Sequence, residues 1–146
     1  MTYEKAFGTQ FQIGDGALAS TPSYTTIAQV KSVGDWAIEQ ILADVTHHSS
    51  TAGFREVFPS GRRNVDDIDI ELGYDPANAT HANSAGGLMH ALLNETKLAY
   101  KIIFPDTNST TWTFEAYVKK IGTMVEQEEE LRQTVTFAIT GQPTLT

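Results

Sequence analysis

The chain has 146 residues, of which 40% are hydrophobic and 19% are charged, proportions that predict one ordinary globular domain spanning residues 1–146. Its formal net charge of −8 argues against a protein that grips nucleic-acid phosphates, because such a protein presents a basic face. No cysteine is present, which excludes disulfides and thiolate metal ligands, and the lack of a signal peptide or membrane-length apolar run leads us to expect no membrane partner.

Alternating apolar residues predict strands near the start of the chain. Residues 7–13 alternate and end at the Gly-Asp-Gly turn signal of residues 14–16. Residues 25–33 are rich in β-branched side chains and are expected to form a second strand. Residues 1–6 are expected to form an N-terminal arm that becomes ordered on contact with a neighbour.

The segment 36–46 carries two competing patterns. Ile38, Ile41, Leu42 and Val45 fall at positions i, i+3, i+4 and i+7, which is the spacing of one helix face. The same segment offers only weak strand alternation. Periodicity alone therefore favours a helix here.

Residues 46–63 are predicted to form a long loop that takes part in assembly. Most connections in compact domains run about four to six residues, so a loop of about twenty is expected to be functional or disordered. This one contains apolar side chains, which a disordered linker lacks, and those side chains need a surface that we expect another copy to supply. The candidate inter-subunit contacts are His47, His48, Phe54, Arg55, Glu56, Val57, Phe58 and Pro59.

The stretch from residue 67 to residue 74 shows the cleanest alternation in the sequence and predicts a strand. Its apolar residues occupy every second position. Asp67, Asp69 and Glu71 occupy the positions between them, so one face of this strand is expected to be acidic.

A single helix is predicted over residues 84–95, where Ser84 is the candidate N-cap and leucines form an apolar stripe. Alternation then predicts strands over 98–104 and 112–118, separated by a turn signal at residues 105–109.

The end of the chain adds a last strand. Residues 126–130 are mostly glutamate and are expected to be a solvated loop, residues 135–139 alternate as a strand, and residues 141–146 are expected to be a C-terminal tail. About seven strands and one helix predict an α+β, mainly β fold, an antiparallel β-sandwich or partly rolled barrel flanked by one α-helix.

Catalytic patterns are thin, and we expect neither an enzyme nor a cofactor. His47 and His48 lie near Asp44 and Glu56, a set that could bind zinc, but adjacent side chains on an extended chain point to opposite sides. The sequence contains no Gly-x-Ser-x-Gly elbow and no phosphate-binding glycine loop with its lysine.

An ordered series of short elements resembles the major tail tube proteins of non-contractile-tailed bacteriophages. The elements are ILADVTHH at 41–48, FREVFPSG at 54–61, LGYDPAN at 72–78, the leucine-rich helix at 88–94, IFPD at 103–106, TWTFEAYV at 111–118 and TFAITGQPT at 136–144. Members of that family typically carry D-V-T, R-E-F-I-P-G-L, N-Y-D-P and a terminal T-G-x-P-T in this order. The histidine pair and the Ser-Gly-Arg-Arg of residues 60–63 depart from the family pattern.

The resemblance implies a structural protein of the virion tail, synthesised in the host bacterial cytoplasm. Family members form a β-sandwich flanked by a helix and assemble into hexameric rings, which stack around a tape measure protein and end at terminator and tip proteins. Double-stranded DNA leaves the capsid through the resulting tube without specific binding. The family counterpart of residues 38–46 is extended, so the resemblance predicts a strand where periodicity favours a helix.

An acidic lining of such a tube would repel DNA and let it slide, and we take the face with Asp67, Asp69 and Glu71 as the leading candidate. The alternative is that these acids lie on an ordinary outer face in contact with solvent. Thr134, Thr136 and Thr140 form a neutral alternative lining.

Three other functions remain open from the sequence. The chain could be the inner tube of a contractile tail or related injection machine, which shares the fold. It could instead be a ligand-binding β-sandwich that uses Trp36 or Trp112, or a hydrolase that uses His47 or His48.

Overall fold

The computed structural model describes residues 7–125, 127 and 130–146. The N-terminal arm predicted for residues 1–6 and most of the acidic loop predicted at 126–130 lie outside the described residues. The chain forms two compact units, which we call the main unit (up to Asp35 and from Asp67 onward) and the hairpin unit (Trp36–Asp66).

Strands dominate the described chain, and the mainly β, antiparallel prediction is confirmed. The elements are β1 (Gln10–Gly14), β2 (Tyr24–Thr26), β3 (Val30–Val33), β4 (Ile38–Asp44), β5 (Val57–Val65), β6 (Ile68–Gly73), α1 (Leu88–Leu93), β7 (Leu98–Ile103), β8 (Thr111–Met124) and β9 (Arg132–Leu145). The main unit holds one seven-stranded sheet in the order β2-β1-β7-β8-β9-β6-β3, and the hairpin unit holds β4 and β5. No helix in the described chain is long and apolar enough to cross a membrane.

The sheet of the main unit is rolled over an aromatic core. Phe11 of β1 and Phe137 of β9 are three strand positions apart, which would separate them by about 14 Å in a flat sheet. Their ring centroids lie 5.1 Å apart, and the Tyr100 ring of β7 lies 4.8 Å from that of Phe137. The sheet therefore curls so that one face encloses the core, although it does not close into a barrel.

Strict alternation sorts the side chains of β6 between the core and the outer face. Ile68, Ile70 and Leu72 are buried, whereas Asp69 is exposed and Glu71 is half-buried. This is the pattern that the sequence predicts for this strand, and it fixes which face of the sheet carries the acids.

The two edges of the sheet are joined by three residues, Ile27–Gln29. Four peptide links from β2 to β3 span at most about 14 Å, so the rolled sheet must bring its edges within that reach. The amide of Ile27 donates to the Phe11 carbonyl (2.9 Å) at one edge, and the amide of Gly73 donates to the Gln29 carbonyl (2.9 Å) at the other. The strand predicted over 25–33 is therefore two short strands.

The middle residue of this crossing, Ala28, is held on both sides of its backbone. Its amide donates to Thr80 Oγ1 (3.3 Å), and its carbonyl lies 2.7 Å from Nε2 of His81. His81 is 1% exposed, and its Nδ1 accepts from the amide of Asp75 at 3.1 Å. These bonds fit the neutral imidazole with its proton on Nε2.

Helix α1 is shorter than the predicted helix over 84–95. The N-cap is Gly87 and not Ser84, whose carbonyl instead accepts from the Gly87 amide at 2.8 Å. A side chain at Gly87 would collide with the Ala82 carbonyl, so the chain turns tightly before the helix begins. The turn uses residues that the sequence pattern assigned to the first helical turn.

The C-terminal residues 141–146 correct the expectation of a tail. Residues 141–145 belong to β9, in which Thr144 pairs with Thr113 and Leu145 with Trp112 of β8. Both β8 and β9 have 14 residues and extend well beyond the short alternating runs that predict them. These extensions are rich in threonine and lysine, so the sequence shows no alternation of apolar residues there that would predict a strand.

We predict that Tyr100→Phe either leaves the free energy of unfolding unchanged or raises it, by at most about 3 kcal/mol. The Tyr100 hydroxyl is buried without a hydrogen-bond partner among the described residues, and burial raises its pKa above the usual range. Urea denaturation measures the effect. As a control, Phe137→Ala removes a fully buried ring and should cost about 3–5 kcal/mol. A loss above 1 kcal/mol for Tyr100→Phe would indicate a bonded hydroxyl.

Candidate interaction surfaces

The hairpin unit replaces both the helix that periodicity favours for 36–46 and most of the loop predicted over 46–63. Residues Ile38–Asp44 form β4, as the family resemblance predicts, and pair antiparallel with β5. Only residues 45–56 connect the strands, with a short 3-10 turn at Thr51–Gly53. Every residue of β4 is exposed, so its apolar residues did not have to form the single stripe that a packed helix requires.

A bulge explains why β5 does not look like a strand in the sequence. The pairing register shifts between Gln40 and Leu42. Gln40 pairs with Arg63 and Leu42 pairs with Pro59, so an advance of two residues along β4 corresponds to four residues along β5. Gly61 lies here with φ +83°, and the Ser60 hydroxyl donates to the Ile41 carbonyl at 2.7 Å. Proline and glycine are tolerated in an edge strand at a bulge, although in a sequence they are typical of loops.

The tip of the hairpin is held by its own polar side chains. The Thr46 hydroxyl accepts from the Glu56 amide (2.8 Å), and the Ser50 hydroxyl accepts from the His47 amide (3.0 Å). In return, the Ser50 amide donates to the His47 carbonyl at 3.0 Å. The connection is therefore a folded structure in which Ser50 is buried.

His47 contacts two of its neighbours at the tip of the hairpin. Nδ1 of His47 accepts from the Ser49 amide (3.1 Å), and Nε2 lies 3.6 Å from a carboxylate oxygen of Glu56. Within the described residues, no group of three or more potential ligands comes together. The geometry assigns His47 a role in shaping the tip.

The hairpin unit presents an unusual number of exposed apolar side chains. They are Ile38, Ile41, Leu42, Val45, Phe54, Val57 and Phe58. Phe54 is 74% exposed and Phe58 is 64% exposed, values that are high for phenylalanine. The eight candidate contacts predicted from the sequence are all exposed: His47, His48, Phe54, Arg55, Glu56, Val57, Phe58 and Pro59. The apolar residues of β4 are not among those candidates, because exposure leaves no mark in a sequence pattern.

The acidic face of β6 and the threonine face of β9 are one surface. The register places Asp69 opposite Thr136 and Glu71 opposite Thr134. The Thr136 hydroxyl donates to the Asp69 carboxylate at 2.6 Å. The two linings considered from the sequence thus merge, while Thr140 lies farther along β9.

Basic side chains balance the carboxylates of this surface. Lys119 Nζ lies 2.9 Å from Asp67, and Arg132 Nη1 lies 3.8 Å from Glu71. Hydrogen bonding to Asp67, followed by the charge of Asp67, raises the pKa of Lys119. The outer face of β6, β8 and β9 therefore carries mixed charge and is not uniformly negative.

A shallow groove of about 350 Å³ crosses this mixed-charge face. Its lining consists of Asp69, Lys120, Gly122, Thr123, Met124, Thr134 and Thr136. The lining combines apolar and polar groups, and Asp69 and Lys120 are its charged side chains.

Comparison with known proteins identifies relatives of both the sequence and the fold. Residues 12–146 match the family described as "Lambda phage tail tube protein, TTP". No curated protein sequence matches the chain.

Solved structures with the same fold come from several tail-like particles. A chain of the native gene transfer agent virion is 15% identical, with 99% of each chain covered and a TM-score of 0.75. A chain of the SPP1 tail tube is 9% identical, with 99% of this chain and 79% of that chain covered and a TM-score of 0.75. A chain from the sheath/tube terminator of an extracellular contractile injection system is 12% identical, with 100% and 98% covered and a TM-score of 0.69. At these identities the similarity establishes a shared fold.

We predict that Thr46→Val raises the pKa of Asp44 toward its ordinary value of 3.8. Hydrogen bonding from the Thr46 side chain, followed by that from its amide, lowers the pKa of this carboxyl. Because the folded pKa is depressed, the ionised Asp44 stabilises the tip above about pH 4, and this contribution is lost as the pH falls through the lowered pKa. Carboxyl titration by NMR measures the shift, and Thr46→Ser, which keeps the hydroxyl, is the matched control. An unchanged pKa in Thr46→Val would contradict this account.

Proposed function

Because the chain belongs to the lambda phage tail tube protein family, we propose that its copies join through the hairpin unit into stacked hexameric rings that form the tube. Its role is structural, and its place is the tail of the virion. The observation that carries the assembly proposal is the hairpin of exposed apolar side chains in a chain of this family.

A hairpin of this composition is unfavourable in an isolated subunit. A two-stranded hairpin without a packed face is only marginally stable in water. Burying a phenylalanine or leucine side chain contributes about 1.5–3 kcal/mol, so covering Phe54, Phe58 and Leu42 in an assembly supplies a substantial driving force. Arg55 and Glu56 lie between the apolar anchors and can set the register of the contact.

The mixed-charge face with Asp67, Asp69 and Glu71 is our candidate for the lumen. Six copies at −8 give a ring a formal charge of −48, so the tube as a whole repels DNA. DNA carries one negative charge per about 1.7 Å of its axis and binds tightly to a surface with free lysines or arginines. On this face Lys119 and Arg132 lie beside carboxylates, which weakens their attraction for passing phosphates, while Lys120 is the remaining lysine of the face.

We also propose that the tube encloses a tape measure protein and ends at terminator and tip proteins. The fold is shared with a contractile injection system chain from a sheath/tube terminator, so an inner tube within a contractile sheath is the second candidate. The family match favours the non-contractile tail. A sheath gene beside the gene for this chain would favour the second candidate.

We predict that replacing residues 36–66 with a short glycine turn leaves a folded main unit that no longer forms tubes. The hairpin unit is inserted where β3 and β6 are already antiparallel neighbours, and the Gly34 amide donates to the Asp69 carbonyl at 2.6 Å. A turn can therefore close the gap without distorting the sheet. Negative-stain electron microscopy detects tubes, and circular dichroism checks the fold. Normal tubes from this variant would rule out the hairpin contact.

A second variant tests the apolar anchors without changing the backbone. Phe54→Ser combined with Phe58→Ser should give soluble, folded protein with few or no tubes. The matched control is Leu93→Ser, which removes an apolar side chain that is 62% exposed on α1. Equal loss of tubes in variant and control would show that the hairpin has no special part in assembly.

We predict that Asp67→Lys combined with Asp69→Lys permits tube assembly but slows DNA ejection. The exchange removes the partner of Lys119 and leaves uncompensated cations for phosphates to contact. Ejection from purified virions, followed by dye fluorescence, measures the rate, and Asp67→Asn with Asp69→Asn is the neutral control. Ejection at the wild-type rate in the lysine variant would remove this face from the lumen.

A further inference from the structure

A single buried histidine ties the crossing between the two edge strands to a distant part of the chain. His81 is 1% exposed, and backbone groups occupy both of its ring nitrogens. Nε2 lies 2.7 Å from the carbonyl of Ala28, which belongs to the crossing, and Nδ1 lies 3.1 Å from the amide of Asp75, which follows β6. The imidazole therefore bridges two segments that are not otherwise neighbours in sequence.

The crossing depends on such bonds because its backbone is strained. Gln29 has a φ of +58°, which lies in the left-handed region that residues with a side chain rarely adopt. A conformation of this kind persists only where surrounding contacts hold it. Here the Gln29 carbonyl accepts from the Gly73 amide, and the adjacent Ala28 is held by Thr80 and His81. Loss of the imidazole bonds would remove part of the support for the strained residue.

Only the neutral imidazole fits this arrangement. The Asp75 amide is a donor, so Nδ1 must accept, and the single ring proton lies on Nε2. A second proton on Nδ1 would point at the N–H of Asp75 and replace an attraction by a repulsion between two donors. Burial adds to this cost, because an enclosed charge needs a paired opposite charge, and neither nitrogen of His81 is left for a carboxylate.

The charged and titratable groups on the elements around His81 have contacts of their own. They are Tyr74, Asp75, Lys31, His90, Glu130 and Arg132. The nearest carboxylate along the chain is that of Asp75, which accepts from the Ala77 amide at 3.0 Å. Lys31 of β3 forms an ion pair with Glu130. These contacts leave the backbone carbonyl and amide as the groups that His81 meets directly.

We infer that His81 is an acid-sensitive switch, whose protonation breaks the bond to Asp75 and releases the crossing Ile27–Gln29. The released ring can take up a second proton and the enclosed ring cannot. The closed crossing is therefore fully favoured above the range in which an exposed imidazole titrates, and it weakens as the pH falls through that range. The switch lies within a single chain, and it does not depend on how copies of the chain assemble.

Hydrogen exchange of the dilute, full-length wild-type chain at pH 7.5 and at pH 5.5 tests the switch. Mass spectrometry measures protection in peptides that contain Ala28 and Asp75, after correction for the intrinsic exchange rate at each pH. An exposed imidazole titrates near about pH 6.5, so we expect protection to fall about tenfold between the two conditions. Carboxylates titrate below this window, near about pH 4. A peptide with Ile102, which is buried in β7, is the internal control and should change little.

Two variants identify the group that responds. His81→Gln keeps one donor and one acceptor but does not titrate, so protection of the crossing should no longer differ between the two pH values. The matched control combines His47→Gln, His48→Gln and His90→Gln, which leaves His81 as the only histidine of the chain. This control should keep the full wild-type response.

Three results would overturn the switch. The first is wild-type protection that stays the same at both pH values. The second is loss of the response in the triple variant, because another histidine would then be responsible. The third is a full response in His81→Gln. If His81→Gln does not fold, the wild-type chain and the triple variant still decide, since His81 is the only imidazole left in the latter.

Discussion

The rolling of one seven-stranded sheet over four aromatic rings is the constraint on which the structure depends. Phe11, Tyr100, Phe114 and Phe137 come from strands that are neighbours or up to three positions apart, yet their rings are in contact. Their burial determines which face of every strand points inward, and hence which side chains form the outer surface. The acids of β6 and the threonines of β9 share one surface because both strands obey this rule.

The main unit and the hairpin unit differ in how far their side chains are buried. The main unit encloses an aromatic and aliphatic core within one chain, whereas the hairpin unit exposes nearly all of its residues. The backbone pairing of β4 with β5, the bulge at Gly61 and the hydrogen bonds of the tip give the hairpin unit its shape. A segment organised in this way keeps its form while its apolar side chains remain available to other molecules.

Sequence patterns predicted the parts of the fold in which burial and alternation coincide. Ile68, Ile70 and Leu72 alternate because one face of β6 is enclosed, and the strand was found without difficulty. Ile38, Ile41 and Leu42 misled the periodicity argument because no face of β4 is enclosed within the chain, and only the family resemblance predicted the strand. The mixed charge of the outer face could not be foreseen, since Asp67 and Lys119 are 52 residues apart and meet only through the sheet.

The arrangement of the sheet edges also protects the protein from aggregation. Its two edge strands, β2 and β3, have only three and four residues, and they follow each other directly along the chain. Short edge strands offer few free backbone groups to a stray strand from another molecule. The short edge strands of the main unit therefore protect the chain from random sheet extension between molecules.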